Sequence, residues 1–130
     1  MTVRINNQKV KRESDAQWNI ERRRIYSEFL AECAQARAIL AASRKGDGMR
    51  SPHAIDAFKL SLLAYELQLV ASRELSVRAT SLSLATQRVI EASRDASVGS
   101  ELYERTREEA IQASTRFIEC ARGELATADL

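Results

Sequence analysis

Apolar residues recur every three or four positions along most of this chain, which is the spacing of amphipathic helices. The first periodic segment begins near Ser14, which can form a capping box with Gln17, and it ends before Gly46 and Gly48. We therefore predict a first helix over residues 14–45. Its predicted buried row consists of Trp18, Ile25, Phe29, Cys33, Ala36 and Leu40, with Arg22 as a long-stemmed member.

A second periodic segment begins at Ser51-Pro52, which is typical of an N-cap followed by proline in the first helical turn. No Gly or Pro occurs between Ala54 and Gly99, so the pattern predicts one continuous helix within Pro52 to Ser97, of about 44 residues and about 66 Å. Its first half carries two apolar rows, namely Ile55, Phe58, Leu62, Tyr65 and Leu69 on one side and Leu60, Leu63, Leu67, Val70 and Val77 on the other. A helix with two apolar sides needs two neighbours.

Residues 75–84 alternate apolar and polar side chains in places, a pattern that also fits a β-strand. No turn residue brackets the alternation, and Leu75, Leu82 and Val89 continue a helical row through it. The helical interpretation is therefore favoured. Chain-wide composition agrees, because four Gly and one Pro are too few for the turns of an all-β protein of this length.

A third helix is predicted from Ser100 to about Ala126, since Ser100 can cap it and Glu101 and Glu104 suit the first turns. Its predicted buried row is Leu102, Thr106, Ala110, Ala113, Phe117, Cys120 or Ala121, and Leu125. Short connections return each helix antiparallel to the one before it. The predicted fold is all-α, a three-helix up-down-up antiparallel bundle with a long central helix, in a single domain over residues 14–130.

The charges of this chain are nearly balanced overall but unevenly placed. The net charge is +2, whereas residues 1–24 carry seven cations against three anions. Residues 1–13 are predicted to form a basic, partly disordered N-terminal segment. The candidate partner-binding residues are Arg12, Arg22, Arg23 and Arg24. Successive arginines on a helix spread over roughly 200° of arc, so a solvated basic end is the simpler interpretation.

Two cysteines, Cys33 and Cys120, lie outside any metal-binding spacing. Helix pairing places Cys33 opposite about Tyr65 and Cys120 opposite about Ser76, about 16 Å apart along the bundle. A disulfide is therefore not expected. The chain shows no apolar signal region and no apolar stretch of about 20 residues, so we predict a cytoplasmic protein with reduced thiols and no membrane span.

No residue pattern in this sequence points to catalysis. His53 is the only histidine and cannot complete a metal site, while Glu101, Glu104 and Glu108 fit ordinary surface charge on a helix. Cys33 lies in the predicted apolar stripe and is expected to be buried rather than nucleophilic. We predict no catalytic, metal-binding or cofactor-binding residue and infer no small-molecule substrate.

Several segments resemble a group of small, uncharacterised all-helical proteins of actinobacteria. The shared pattern comprises Gln17-Trp18, Arg22-Arg23-Arg24, Tyr26, Phe29-Leu30, Leu67 to Ser72, Phe117, and Ala121 to Leu125. These segments cover most of residues 17–125. The resemblance implies an all-α bundle and supplies no catalytic residue.

The function predicted from the sequence is a non-enzymatic interaction or scaffold module that self-associates, in coiled-coil fashion, as a homodimer. The long central helix is expected to outreach its neighbours and to leave apolar positions for a second copy. A protein partner of another kind is a further possibility. The alternative is a basic-tailed adaptor that binds nucleic acid or an anionic membrane surface through residues 1–24, although Trp18 alone offers no stacking platform there.

Overall fold

Four α-helices build the part of the chain that the computed structural model describes, residues 2–44, 55–94 and 100–128. They are α1 (Thr2–Arg44), α2 (Ala57–Val70), α3 (Arg73–Arg94) and α4 (Ser100–Ala128). No strand occurs within these ranges, and residues 75–84 are helical. The all-α prediction is therefore confirmed, whereas the three-helix bundle is wrong because the predicted central helix is two helices.

The predicted rod from Pro52 to Ser97 is broken at Ala71 and Ser72. Ala71 has extended backbone, with φ of −88° and ψ of 157°, which any residue adopts without strain. The Ser72 hydroxyl then caps α3 by accepting a hydrogen bond from the Leu75 N–H at 3.2 Å. A serine cap followed by Glu74 in the first turn thus ends one helix and starts the next without Gly or Pro.

The break folds the rod back on itself. Gln68 near the end of α2 donates a hydrogen bond to Thr80 in α3 at 3.2 Å, so the two helices run antiparallel beside each other. Ion pairs from Lys59 to Glu32 at 3.5 Å and from Arg24 to Glu66 at 3.6 Å pair α2 with α1 in the same antiparallel sense. The described helices form an up-down-up-down bundle in which the short α2 lies between α1 and α3.

The first helix is longer than predicted. α1 begins at Thr2 rather than near Ser14, so the residues predicted as a partly disordered segment have helical backbone. Ser14 therefore lies within α1 rather than at its N-terminus, and the residues before it contain no Gly or Pro to end the helix. Four predicted features lie outside the described residues: the Gly46–Gly48 loop, the Ser51-Pro52 cap, His53, and the helix end at Ser97.

The hydrophobic core has two clusters along the bundle. The cluster near the α2–α3 break contains Ile25, Tyr26, Phe29, Cys33, Leu60, Ala64, Leu67, Leu75, Ala79, Leu82, Phe117 and Ala121. The cluster towards the other end contains Leu40, Ala85, Val89, Ile90, Tyr103 and Ala110. In the first, the Phe117 ring meets Phe29 edge-on at 5.4 Å between centroids and Tyr26 at 6.4 Å.

The buried rows predicted for α1 and α4 are confirmed apart from one residue on each helix, whereas Val77 of the predicted central helix is exposed on α3. Trp18 is half exposed, because the α1–α4 pairing that sets Phe29 beside Phe117 leaves Trp18 level with the end of α4. On α4 the buried side chain in the first turns is Tyr103 rather than Leu102.

Replacement of Phe117 by alanine should destabilise the fold by about 3–5 kcal/mol, because it removes a fully buried ring that contacts two other aromatic rings. Urea unfolding followed by circular dichroism measures the loss. Val77→Ala, at an exposed apolar position, is the matched control and should change the free energy of unfolding by well under half as much. Equal losses for both variants would contradict this core assignment.

Candidate functional site: the outer face of α2

The outer face of α2 carries four large apolar side chains that no other described helix covers. We call Phe58, Leu62, Tyr65 and Leu69 the outer row. They are between 51% and 84% exposed. They belong to one of the two apolar rows predicted for the central helix. Ile55 of that row packs against the core, and the other four side chains lie in solvent.

Helical geometry explains why the outer row is exposed. At 100° per residue, the outer row lies on the side of α2 opposite Leu60, Ala64 and Leu67, which are buried against α1 and α3. The break at Ala71 brings α3 alongside α2 and leaves no continuing rod beyond it. α2 is therefore apolar on two opposite sides, while only its inner side has neighbours within the described fold.

The two flanks of the outer row differ in charge. The flank towards α1 carries Lys59 and Glu66, each partly exposed and each in an ion pair with α1. The flank towards α3 is uncharged: Ser61 and Gln68 line a shallow groove of about 300 Å³ with Tyr65, Thr80 and Leu84. The outer row is thus bordered by polar side chains, as in the rim of a protein interface.

A carboxylate on α4 fixes where α2 ends. Glu124 Oε1 accepts a hydrogen bond from the Ser72 N–H at 3.0 Å, which satisfies a backbone donor that the break leaves without a helical partner. Glu124 Oε2 accepts a hydrogen bond from the Tyr26 hydroxyl at 2.8 Å and pairs with Arg22 Nη2 at 3.0 Å. We call Arg22, Tyr26, Ser72 and Glu124 the corner cluster.

The surroundings of the corner cluster shift the pKa values of Glu124 and Tyr26 in opposite directions. Burial by itself raises the pKa of Glu124, but hydrogen bonds from Ser72 and Tyr26 and the charge of Arg22 outweigh it and hold the pKa below its ordinary value. Burial raises the pKa of Tyr26 to about 12, and Glu124 adds to that rise. At neutral pH the tyrosine is therefore a hydrogen-bond donor and the glutamate an acceptor.

The structure separates the arginines predicted to bind a partner. Arg22 belongs to the corner cluster, where its guanidinium also lies 5.9 Å from the Tyr26 ring centroid. Arg24 pairs with Glu21, Glu28 and Glu66 on its own and a neighbouring helix. Arg23 is exposed beside the groove between α1 and α4, and the Arg12 side chain lies outside the described residues.

A nucleic-acid or membrane contact through residues 1–24 stays a prediction. Arg22 and Arg24 already pair with carboxylates of this chain. The positive charge for such a contact would therefore have to come mainly from side chains before residue 15.

Burial raises the pKa of both cysteines. Burial raises the pKa of Cys33 to about 11, although a hydrogen bond with Thr86 and the charge of Arg37 partly oppose it. Cys33 thus lies beside Thr86 on α3, and the Lys59–Glu32 ion pair places this level of α1 opposite the start of α2 rather than opposite Tyr65. Cys120 lies in the field of Glu74 and Arg78, near the predicted level of Ser76, and both thiols are free.

Two further observations concern the described residues alone. They contain no group of three or more His, Cys, Asp or Glu side chains able to hold a metal ion. None of their helices has the length and apolar content needed to cross a bilayer. Glu101, Glu104 and Glu108 are exposed, and Glu104 lies 3.9 Å from Arg107, as expected for surface charge.

Sequence reasoning missed the corner cluster. Tyr26, and the segments that contain Ser72 and Glu124, contribute to the prediction only through the resemblance. The one local signal for the break was Ser72 followed by an acidic residue at position 74. The pairing of Ser72 with Glu124 spans 52 residues, so no local pattern reveals it.

Comparison of this chain with protein-family models, curated proteins and solved structures gives no significant match. The resemblance to actinobacterial helical proteins stays a prediction, and function has to be inferred from the geometry of the molecule.

Replacement of Glu124 by glutamine should lower the free energy of unfolding by about 1–3 kcal/mol at pH 7, since three donors then lose a charged acceptor. Urea unfolding checks this value. Glu119→Gln, an exposed carboxylate on the same helix, is the control and should change little. A loss no larger than that of the control would show that the corner cluster does not stabilise the break.

The contribution of Glu124 to the free energy of unfolding should fall at acid pH. Because its folded-state pKa lies below the ordinary value of 4.5, its stabilisation is complete above that value and is lost as pH falls through the folded-state pKa. The stability difference between the wild type and Glu124→Gln should hold constant from pH 6 to 8 and shrink in acid. Urea titrations across this range test it, and a difference that grows in acid would contradict the assignment.

Proposed function

We propose that this protein is a non-enzymatic helical interaction module that self-associates, and that a second copy covers the outer row of α2. The observation that carries the proposal is the exposure of four large apolar side chains on one face of one helix. A helix that is apolar on two opposite sides needs a neighbour on each, and an exposed contiguous apolar patch marks an interaction surface.

The spacing of the outer row supports a helical partner. Its members are four, three and four residues apart, which is the a/d spacing of a coiled-coil seam. The opposite face of α2 already packs in the bundle core, so the helix would be shared between the fold and the interface. A second copy provides the same seam and therefore a matching surface, as in isologous dimers.

The area of the outer row fits a dimer of modest size. Fully covered aromatic side chains bury 150–250 Å² each, so Phe58 and Tyr65 at their observed exposure offer roughly 200–350 Å² together. Leu62 and Leu69 bring the row to about half of the ~800 Å² that each partner buries in a standard interface. Flanking side chains and Leu84 can supply the remainder as a polar and mixed rim.

Light scattering on the purified full chain tests self-association. We expect a mass near twice the 14.6 kDa of one chain at micromolar concentrations, with dissociation on dilution. A strictly monomeric mass across that range would overturn the proposal.

A pair of variants tests the face itself. Tyr65→Lys should give a monomer, because a buried unpaired ammonium opposes association, whereas Ile20→Lys should leave the dimer intact. The two positions are matched in exposure, at 67% and 66%, but Tyr65 belongs to the outer row whereas Ile20 lies on α1. Circular dichroism should show the same helix content for both variants. A Tyr65→Lys variant that stays dimeric would mean that another surface mediates association.

A further inference from the structure

We infer that the two copies pair through α2 in antiparallel orientation, about a two-fold axis that passes between Leu62 and Tyr65. This inference rests on the proposed self-association and gives the geometry of its interface. Three features of the outer row and its borders support it: the spacing of the row, the sizes of its side chains, and the charges of its flanks.

The spacing of the outer row reads the same in both directions along the helix. Intervals of four, three and four residues are symmetric about the midpoint between Leu62 and Tyr65. Reversal of one helix therefore sets every member of the row opposite another member. Phe58 meets Leu69 of the partner subunit, and Leu62 meets Tyr65 of the partner subunit.

The side-chain sizes favour this reversed arrangement. In the antiparallel pair each layer joins one aromatic ring to one leucine, so the layers have similar volumes and large side chains interdigitate with smaller ones. In a parallel pair each residue of the outer row faces the same residue of the second copy. Two phenylalanines then form one layer and two leucines form the next. The layers would then differ in width along a seam between two rigid helices.

The charges of the flank towards α1 give the third reason, which is independent of side-chain size. Lys59 and Glu66 both border the outer row on the side of α1 and are 59% and 43% exposed despite their intramolecular ion pairs. In the antiparallel dimer this flank faces the same flank of the second copy. Lys59 then lies within about two residues, or ~3 Å along the axis, of Glu66 of the partner subunit.

A parallel dimer lacks this complementarity. Its two-fold axis runs along the helices, so the charged flank of one copy faces the uncharged flank of the other, where Ser61 and Gln68 lie. Opposite charges across an interface fix its orientation even where they add little affinity. The antiparallel arrangement also repeats the favourable contact twice, once on each side of the axis.

Cysteine cross-linking separates the two orientations. Phe58→Cys and Leu69→Cys are made separately in a Cys120→Ser background, and Cys33 is kept because its thiol is buried. One variant carries a mass tag. Mild oxidation of the mixture should link tagged to untagged chains, while each variant alone should link poorly. In the antiparallel dimer two copies of position 58 lie about 16 Å apart, beyond the ~7 Å that a disulfide allows.

A second pair leaves the outer row untouched. Ser61→Cys mixed with Gln68→Cys, joined by a short bis-maleimide, should also give the mixed product, because these positions face each other across the uncharged flank of an antiparallel dimer. The isolated variants should give little product at the same concentration.

The outcomes distinguish this inference from the proposal on which it rests. Efficient linking of Phe58→Cys to itself would mean a parallel pair and would overturn the orientation while leaving self-association intact. A dimer in light scattering with no linking at any of the four positions would place the interface elsewhere. A monomer in light scattering would overturn the proposed function and this inference together.

Discussion

The carboxylate of Glu124 is the interaction on which the arrangement of the helices depends. The interruption frees the backbone N–H of Ser72 from any helical acceptor, and Glu124 accepts its hydrogen bond. The same carboxylate reaches Tyr26 and Arg22, so one residue of α4 ties the α2–α3 break to α1. Both carboxylate oxygens of Glu124 accept hydrogen bonds, one from the α2–α3 break and the other from α1, so the carboxylate holds the break against α1.

The break determines which apolar surface remains outside. An unbroken rod would present two apolar rows to two neighbours along its length. Folding α3 back along α2 fills the space beside the inner row and leaves the outer row of α2 facing solvent. The exposed apolar surface of α2 thus results from the break between α2 and α3. Exposed apolar positions were expected from an overlong central helix, and they occur here for this different reason.

Sequence periodicity predicts helices well here and connections poorly. The rows through Phe29 and Phe117 follow directly from spacing, because each buried face repeats every three or four residues over several turns. The break at Ser72 does not, since its backbone is ordinary and its stabilising partner lies on another helix. The outer row was recognised as apolar, but whether such a row is covered depends on tertiary contacts that periodicity does not contain.

The sequence separation within the corner also orders events during synthesis. Ser72 precedes Glu124 by 52 residues, so a ribosome that adds 5–20 residues per second makes the donor roughly 3–10 s before its acceptor exists. Until then the break between α2 and α3 has only the Ser72 hydroxyl cap and the packing of α2 against α1 and α3. The contacts of Glu124 with Ser72, Tyr26 and Arg22 are added last, when the fourth helix is synthesised.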